Sequence, residues 1–415
     1  MRRLEVRLEL GDEAIPVGTL AERERRILFE YAPGFLRRGL QLSPIHLPLR
    51  PGVHEGPPEP FGGLPGVFSD SLPDGWGLLL MDRAFRQRGV SREAITPLDR
   101  LAFLGTRAMG ALTYHPATGP EDGFDAALEL DEMAEQAERL LEGSAEEVLP
   151  ELLRAGGSPG GARPKVVVGF RERDGAMVSG AGSLPPGFRA FLVKFDARAD
   201  PADAGAVELA YSRMAAAAGI RVPPARLFST PGGARYFAAE RFDRPEGGRR
   251  HVHTLAGLLH ADFRLPSLDY EAYLRATLHL TRDMAEVAEG FRRMVFNVLA
   301  CNRDDHARNF AFLMEPDGAW RHTPAYDLTF SAGPGGEHTM SVAGEGRAPV
   351  RRHFTELAAK LSIEPRARDA ILEQVAAAVA GWPAFAAETA VNEPLLDDVA
   401  RRLTQIRSAA LAPAP

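Results

Sequence analysis

An apolar stripe at helical spacing, Val287, Phe291, Val295, Val298 and Leu299, runs directly into Asn302-Arg303-Asp304-Asp305-His306-Ala307-Arg308-Asn309. A helix that must bury such a stripe holds its C-terminal loop at the edge of a core, so two acids and an amide are set close to one another there. The chain then continues as Phe310-Ala311-Phe312-Leu313-Met314, turns at Glu315-Pro316-Asp317-Gly318, and returns through Ala319-Trp320-Arg321-His322. That pattern predicts a hairpin. Beyond it stands one further isolated acid, Asp327, in Pro324-Ala325-Tyr326-Asp327. Asparagine makes the arrangement sharper. The chain has only four, and Asn297, Asn302 and Asn309 are three of them. The turn preference of Asn explains a single residue. It does not explain the recurrence.

Phosphoryl transfer from a nucleoside triphosphate needs this set of parts. One carboxylate accepts the proton of the substrate hydroxyl, while an amide and a second carboxylate supply hard oxygens for Mg²⁺. Asp-x₄-Asn followed by Asp after a hairpin is the spacing of the catalytic and metal loops of protein kinases. The competing reading of Asp304-Asp305 is a helix-end loop with solvated acids.

Lysine is scarce in the same telling way. Of 49 Lys and Arg residues only Lys165, Lys194 and Lys360 are lysine. A chain that uses Arg wherever charge alone is wanted keeps Lys where a compact ammonium is needed. Lys194 ends a strand-like run, Ala190 to Phe195, and is the candidate nucleotide-phosphate lysine. Glu208, on a helix expected over Ala206 to Ala218, is placed to pair with it; the alternative is an ordinary surface glutamate on an amphipathic helix. Upstream, Ala155 to Lys165 is a Gly-rich turn feeding the β-branched strand Val166 to Phe170. Its backbone N–H groups suit phosphates. It lacks the Walker A pattern, and a Gly-rich linker reads the same way. Glu240-Arg241-Phe242-Asp243-Arg244 ends another strand, either as a backbone edge for an adenine ring or as a charged strand end.

The rest of the chain sets limits. It has 415 residues and a formal net charge of −7, which excludes a globally basic nucleic-acid binder. No apolar run has the length of a membrane span, and the N-terminus lacks a secretory pattern, so a cytoplasmic location is expected. The single cysteine, Cys301, excludes internal disulfides and cysteine-built zinc sites. His251-x-His253 lacks a third ligand. Short alternating strands are expected at Leu4 to Leu8 and Ile27 to Tyr31, with loops from Gly34 to Gly66 and a helix from Gly75 to Arg88 preceded by Pro73-Asp74. Amphipathic helices follow at Leu128 to Leu141 and Glu146 to Arg154, then strands at Ala225 to Phe228 and Tyr236 to Phe242. Helical patterns dominate from about Thr254, and the region 355–407 reads as packing helices.

Taken in order, Ser158 to Lys165, Phe191-Leu192-Val193-Lys194, Glu240 to Arg244, Asn302 to Asn309 and Pro324 to Asp327 resemble the HipA-like serine/threonine kinases, toxins of bacterial toxin–antitoxin modules. Leu72-Pro73-Asp74-Gly75-Trp76-Gly77 and Gly105 to Tyr114 resemble the β-rich subdomain that precedes the kinase core in that family. The resemblance implies an α+β, protein-kinase-like bilobal fold with an N-terminal β-rich subdomain at 1–118, a kinase N-lobe at 119–250 and a mainly helical C-lobe at 251–415. It makes Asp304 the catalytic base and gives Mg²⁺ to Asn309 and Asp327. ATP would be held by Gly160, Gly161, Ala162, Arg163, Pro164, Lys165 and Lys194, with Glu240, Arg241 and Phe242 at the adenine and His306, Asn309, Tyr326 and Asp327 near the nucleotide. Ser158 would be the autophosphorylation site that silences the enzyme. Pro159 departs from the small apolar residue often found there, and it restricts Ser158 to extended backbone.

The same resemblance implies a protein substrate, such as an aminoacyl-tRNA synthetase, and a helix-turn-helix antitoxin of the HipB type. DNA would be met only through that antitoxin, and no membrane is involved. Two other readings use the same residues. One is a small-molecule phosphotransferase of the aminoglycoside or choline type. The other is a regulatory binding module with a silent kinase site.

Overall fold

The computed structural model describes residues 2–11, 13–120, 129–144, 148, 150–157, 160–180, 182–196, 203–246 and 248–412. It is an α+β protein with a β-rich N-terminal region and a helical C-terminal region.

The first sheet contains β1 (Arg2–Leu10), β2 (Glu13–Arg23), β3 (Arg26–Tyr31), β4 (Val53–Glu55) and β5 (Leu112–His115), in the order β4-β3-β2-β1-β5. Strand β2 differs from the sequence expectation, which placed only a turn between the first two strands. Pro16 and Gly18 hide it. Val6 pairs with Gly18 and Arg7 with Pro16, so Val17 is the extra residue of a bulge, one of the few places in a strand that tolerate a proline. A Cβ on Gly18 would lie 2.2 Å from the Glu30 carbonyl oxygen, so a side chain there is shut out by β3.

The second sheet runs β7-β6-β8-β10-β9. Its strands are β6 (Lys165–Phe170), β7 (Met177–Ser179), β8 (Arg189–Lys194), β9 (Ala225–Ser229) and β10 (Arg235–Glu240). Every residue of β6 is buried, as its unbroken Val166-Val167-Val168 run requires. The helix Ala204–Ala217 packs on β9 and β10 and against helices Pro365–Ala380 and Trp382–Glu388. The residues at 355–407 therefore support the helix that carries Glu208. A third, small sheet joins β11 (His251–Thr254), β12 (Ala311–Met314) and β13 (Trp320–His322). Here β12 and β13 form the expected hairpin, whereas β11 replaces the unassigned stretch before the helices. The expected strand to Phe242 stops at Glu240, and the helix expected at Glu146 to Arg154 is observed as Pro150–Gly156. Leu128, Glu146, Glu147 and Leu149 lie outside the described residues.

The N-terminal region is bonded to both parts of the remaining chain. Asp243 accepts from the Gly110 N–H at 2.7 Å and pairs with Arg241 and Arg244 at 2.6 and 2.7 Å. Farther on, Asp70 accepts from Thr254 N and Oγ1, both at 2.7 Å, and from His253 Nδ1 at 2.6 Å. The His251 ring meets the Leu42 carbonyl at 3.1 Å. The two histidines thus serve as buried joints between regions. Among the described residues no single helix is long and apolar enough to cross a membrane.

Candidate active site

Strand β8 delivers Lys194 to a position directly across from Lys165 on β6 and Phe237 on β10. The Lys194 ammonium lies 2.5 Å from Glu208 Oε1 and 2.5 Å from Asp327 Oδ1. Lys194 and Glu208 are almost wholly enclosed, at 6% and 3% side-chain exposure, while Asp327 keeps 40% and opens toward solvent. Burial alone would pull Lys194 down, but the two carboxylates outweigh it and hold the ammonium above its ordinary value. Asp327 is held well below the usual carboxylate range, chiefly by Lys194. Its backbone adopts φ 57°, a left-handed conformation costly for a residue with a Cβ.

Across the sheet, the Lys165 ammonium donates to the Gly160 carbonyl at 2.6 Å. Burial and the neighbouring Lys194 charge lower Lys165 to about 8. The Phe195 N–H donates to the Pro164 carbonyl at 2.9 Å, which fixes the loop's exit. Arg163 reaches back to Glu208 Oε2 at 3.5 Å and pairs with Asp196 at 3.2 Å. Gly160 to Lys165 is therefore a folded loop joined through Arg163 to the Lys194–Glu208 pair. Ser158 and Pro159 lie outside the described residues.

The third component is the loop after the helix Met284–Leu299. The Asp304 carboxylate is 57% exposed, with His306 Nε2 at 4.0 Å. Its pKa is raised above the ordinary aspartate value, first by burial of part of the group and then by the nearby charges of Asp327 and Asp305, with His306 opposing. Asn309 Nδ2 donates to the Asp304 backbone carbonyl at 2.8 Å, so its Oδ1 is the atom not used in holding the loop. Tyr326 donates its hydroxyl to the Arg308 carbonyl at 2.6 Å, and its ring lies 5.8 Å from that of Phe242.

The three clustered asparagines divide into two roles. Asn297 and Asn302 are buried and bonded to each other at 2.9 Å, and Asn297 donates onward to the Tyr270 hydroxyl at 3.0 Å. They build the loop's foundation. Asn309 is the one beside Asp304.

At the junction between the lobes, Glu240 and Arg241 turn their side chains elsewhere. Glu240 pairs with Arg189 on the surface, and Arg241 is buried against Asp243. What Glu240 to Phe242 present there is backbone and the Phe242 ring.

Two site neighbours lie inside motifs that the sequence singled out, but their partners were not legible there. Asp305 is buried and accepts from Tyr270 at 2.6 Å, His338 at 2.8 Å and the Thr339 N–H at 2.7 Å, a set drawn from distant segments. Asp74, which accepts the Gly161 N–H, sits in a Pro-Asp-Gly segment that reads as an ordinary helix start.

Among the described residues no group of three or more His, Cys, Asp or Glu is placed to hold a metal. Asp327 and Asn309 fit a different kind of site. Mg²⁺ is typically held by one or two protein oxygens together with phosphate and water.

The family model described as the HipA-like C-terminal domain matches residues 157–382, and that of the HipA N-terminal domain matches residues 10–115. No curated protein matches the chain. Among solved structures, HipA of the Shewanella oneidensis MR-1 toxin–antitoxin system, solved with HipB and operator DNA, superposes with a TM-score of 0.70. That alignment has 18% identity and covers 98% of this chain and 96% of the other, so it speaks to fold. The Helicobacter pylori proinflammatory kinase CtkA gives a TM-score of 0.37 at 12% identity over 54% of this chain and 88% of its own.

Proposed function

The chain belongs to the HipA-like family, and from that premise we propose that it is an ATP- and Mg²⁺-dependent serine/threonine-protein kinase, the toxin of a type II toxin–antitoxin pair. The observation that carries the reading is the ammonium of Lys194 held between Glu208 and Asp327 at 2.5 Å each, with Asp304 on the adjoining loop. A strand lysine paired with a helix glutamate, beside a metal-binding aspartate, is the positioning device of protein kinases.

The residues then divide the work. Asp304 accepts the proton of the attacking hydroxyl, and its raised pKa makes it a stronger base than an ordinary aspartate. Lys194 and Lys165 bring positive charge to the phosphates, and the N–H groups of Gly160 to Lys165 cradle them. Asp327 and Asn309 would hold Mg²⁺, which neutralises charge on the phosphates when bound. Glu240 to Phe242 offer backbone to the adenine, and His306 and Tyr326 border the nucleotide.

The boundaries 1–118, 119–250 and 251–415 serve as the subdomain, N-lobe and C-lobe of this reading. Ser158 is the proposed autophosphorylation site, since a phosphate there adds roughly −1.5 to −2 charges beside the triphosphate-binding loop. The Shewanella structure contains HipB and operator DNA, which supports a helix-turn-helix antitoxin as partner, with DNA met through it. A translation protein such as an aminoacyl-tRNA synthetase is the proposed substrate, in the cytoplasm.

The test is the intact mass of the purified full chain after incubation with Mg²⁺-ATP, beside Asp304→Ala and Ser158→Ala. A phosphate added only to the wild type supports the kinase and its regulatory serine. No addition to wild-type protein that starts unmodified and binds ATP rejects the protein-kinase reading in favour of a small-molecule phosphotransferase.

A further inference from the structure

Asp74 occupies the N-cap position of the helix Gly75–Gln87 with extended backbone, yet its side chain makes no capping bond. A capping aspartate normally satisfies a first-turn N–H. Here both oxygens are spent across the interface between regions. Oδ1 accepts the Gly161 N–H, and Oδ2 accepts from Arg308 Nη1 at 2.6 Å. Arg308 completes the link by donating from Nη2 to the Leu72 carbonyl at 3.1 Å, and its guanidinium lies 4.8 Å over the Phe263 ring.

The next two residues grip the same loop. Trp76 donates its backbone N–H to the Gly161 carbonyl and its indole N–H to the Lys165 carbonyl, each at 2.9 Å. Between them, Gly75 has φ +43°, and a Cβ there would stand 2.5 Å from the Gly161 carbonyl oxygen and 2.9 Å from Ala162 Cα. On the other side, a Cβ on Gly160 would stand 2.8 Å from Asp74 Oδ1. Gly75 thus lets the two segments meet at backbone distance, and Gly160 leaves room for the Asp74 carboxylate.

We propose that Asp74-Gly75-Trp76 is a clamp carried by the N-terminal region, with Asp74 the positioning residue that fixes the nucleotide-binding loop Gly160–Lys165 against Arg308 of the catalytic loop. The assignment rests on the kinase reading for what the loop binds. A glycine-rich loop loses more conformational freedom on ordering than other backbone, so a loop held in place before ATP arrives binds it more tightly. Arg308 lies between His306 and Asn309, so a single carboxylate joins the segment that receives phosphate to the segment that carries the base. Asp74 touches neither substrate nor reacting atoms and acts through Gly161 and Arg308. Burial opposes its charge, but Arg308, the Gly161 N–H and Lys165 keep the carboxylate below its ordinary pKa.

The experiment compares full-length wild type with Asp74→Ala, Asp74→Asn and Gly75→Ala. Amide hydrogen exchange across residues 160–165 is measured without nucleotide, then Mg²⁺-ATP affinity by titration, then KM and kcat. Asp74→Ala and Gly75→Ala are expected to speed exchange in 160–165 and to weaken Mg²⁺-ATP binding, Asp74→Ala by about tenfold, the weight of one charge-assisted hydrogen bond, and Gly75→Ala by pushing the Gly161 carbonyl away. The kcat should change far less. Asp74→Asn, which keeps an oxygen for the Gly161 N–H, should recover part of the affinity, which a merely structural defect would not show. Gly75→Ala removes no polar group, so it tests the clamp even if loss of Asp74 impairs folding. Unchanged exchange in both variants, or faster exchange with unchanged ATP affinity, overturns the proposal. If exchange and affinity respond as expected while wild type transfers no phosphate, the clamp stands and the kinase reading falls.

Discussion

The carboxylates of Asp304 and Asp305 are neighbours in the chain and opposites in environment. Asp304 is 57% exposed, whereas Asp305 is fully enclosed and accepts hydrogen bonds from Tyr270, His338 and the Thr339 N–H. One carboxylate faces solvent while the next is anchored to two separate segments, at Tyr270 and at His338-Thr339. A buried carboxylate with several donors is a rigid fixture, and rigidity is what a base needs to meet a hydroxyl at hydrogen-bond distance.

Tyr270→Phe removes one donor from that anchor without adding volume. It should cost about 1–2 kcal/mol in denaturant unfolding, because the Asp305 oxygen and the Asn297 amide each lose a partner. It should also lower kcat more than the KM for ATP, since it loosens the base and leaves the nucleotide loop untouched. Unfolding curves and steady-state kinetics on the same preparation check both.

Asp304→Asn keeps the shape of the side chain and removes its basicity. Phosphoryl transfer should fall by roughly 10²–10⁴-fold, the usual weight of a positioned general base. Mg²⁺-ATP affinity should stay near that of wild type, because Lys194, Lys165 and Asp327 are intact. Transfer measured with labelled ATP beside a nucleotide-binding titration separates the two effects.

The pH profile should have two limbs. Asp304 must be ionised, and its raised pKa puts the acid limb above the ordinary aspartate value of 3.8. On the alkaline side Lys165, lowered to about 8, gives up its charge as pH rises through that value, so the KM for ATP should climb above pH 8. Lys165→Arg, which stays charged, should flatten the alkaline limb.

Asp243 is buried between Arg241 and Arg244 and bonded to Gly110, and these partners, opposing its burial, depress its pKa. The unfolded chain therefore binds a proton more readily than the folded one. The stabilisation from this group is fully present above about pH 4 and fades as pH falls toward the folded value. Asp243→Asn should destabilise the protein by on the order of 3 kcal/mol at pH 7, since two buried guanidinium groups lose their counter-charge. The loss should shrink on acidification. Urea midpoints at pH 7 and pH 2.5 test this.

The elements that carry the candidate site were legible because they obey local rules. A β-branched run made β6, turn chemistry made the β12–β13 hairpin, and the scarcity of Lys and Asn drew the eye to Lys165, Lys194 and the loop at Asn302–Asn309. Other elements were not legible, for physical reasons. Strand β2 carries a proline and a glycine that argue against a strand until the bulge at Val17 is seen. Asp305 and Asp74 look like surface acids because their partners lie far away in sequence, and only the fold brings Tyr270, His338, Gly161 and Arg308 to them. Two of the three clustered asparagines proved to be buried supports, so rarity drew attention to this loop without separating candidate chemistry from scaffolding.

The indole of Trp76 has an optical consequence. The chain has three tryptophans, and Trp76 alone among them hydrogen-bonds to the nucleotide loop, through the Lys165 carbonyl. Indole emission responds to polarity and to the bond at its nitrogen, so departure of that carbonyl and entry of water would shift the spectrum to the red. With Trp320 and Trp382 replaced by phenylalanine, the protein would carry its own fluorescent gauge of loop position, readable on the millisecond scale without an attached dye.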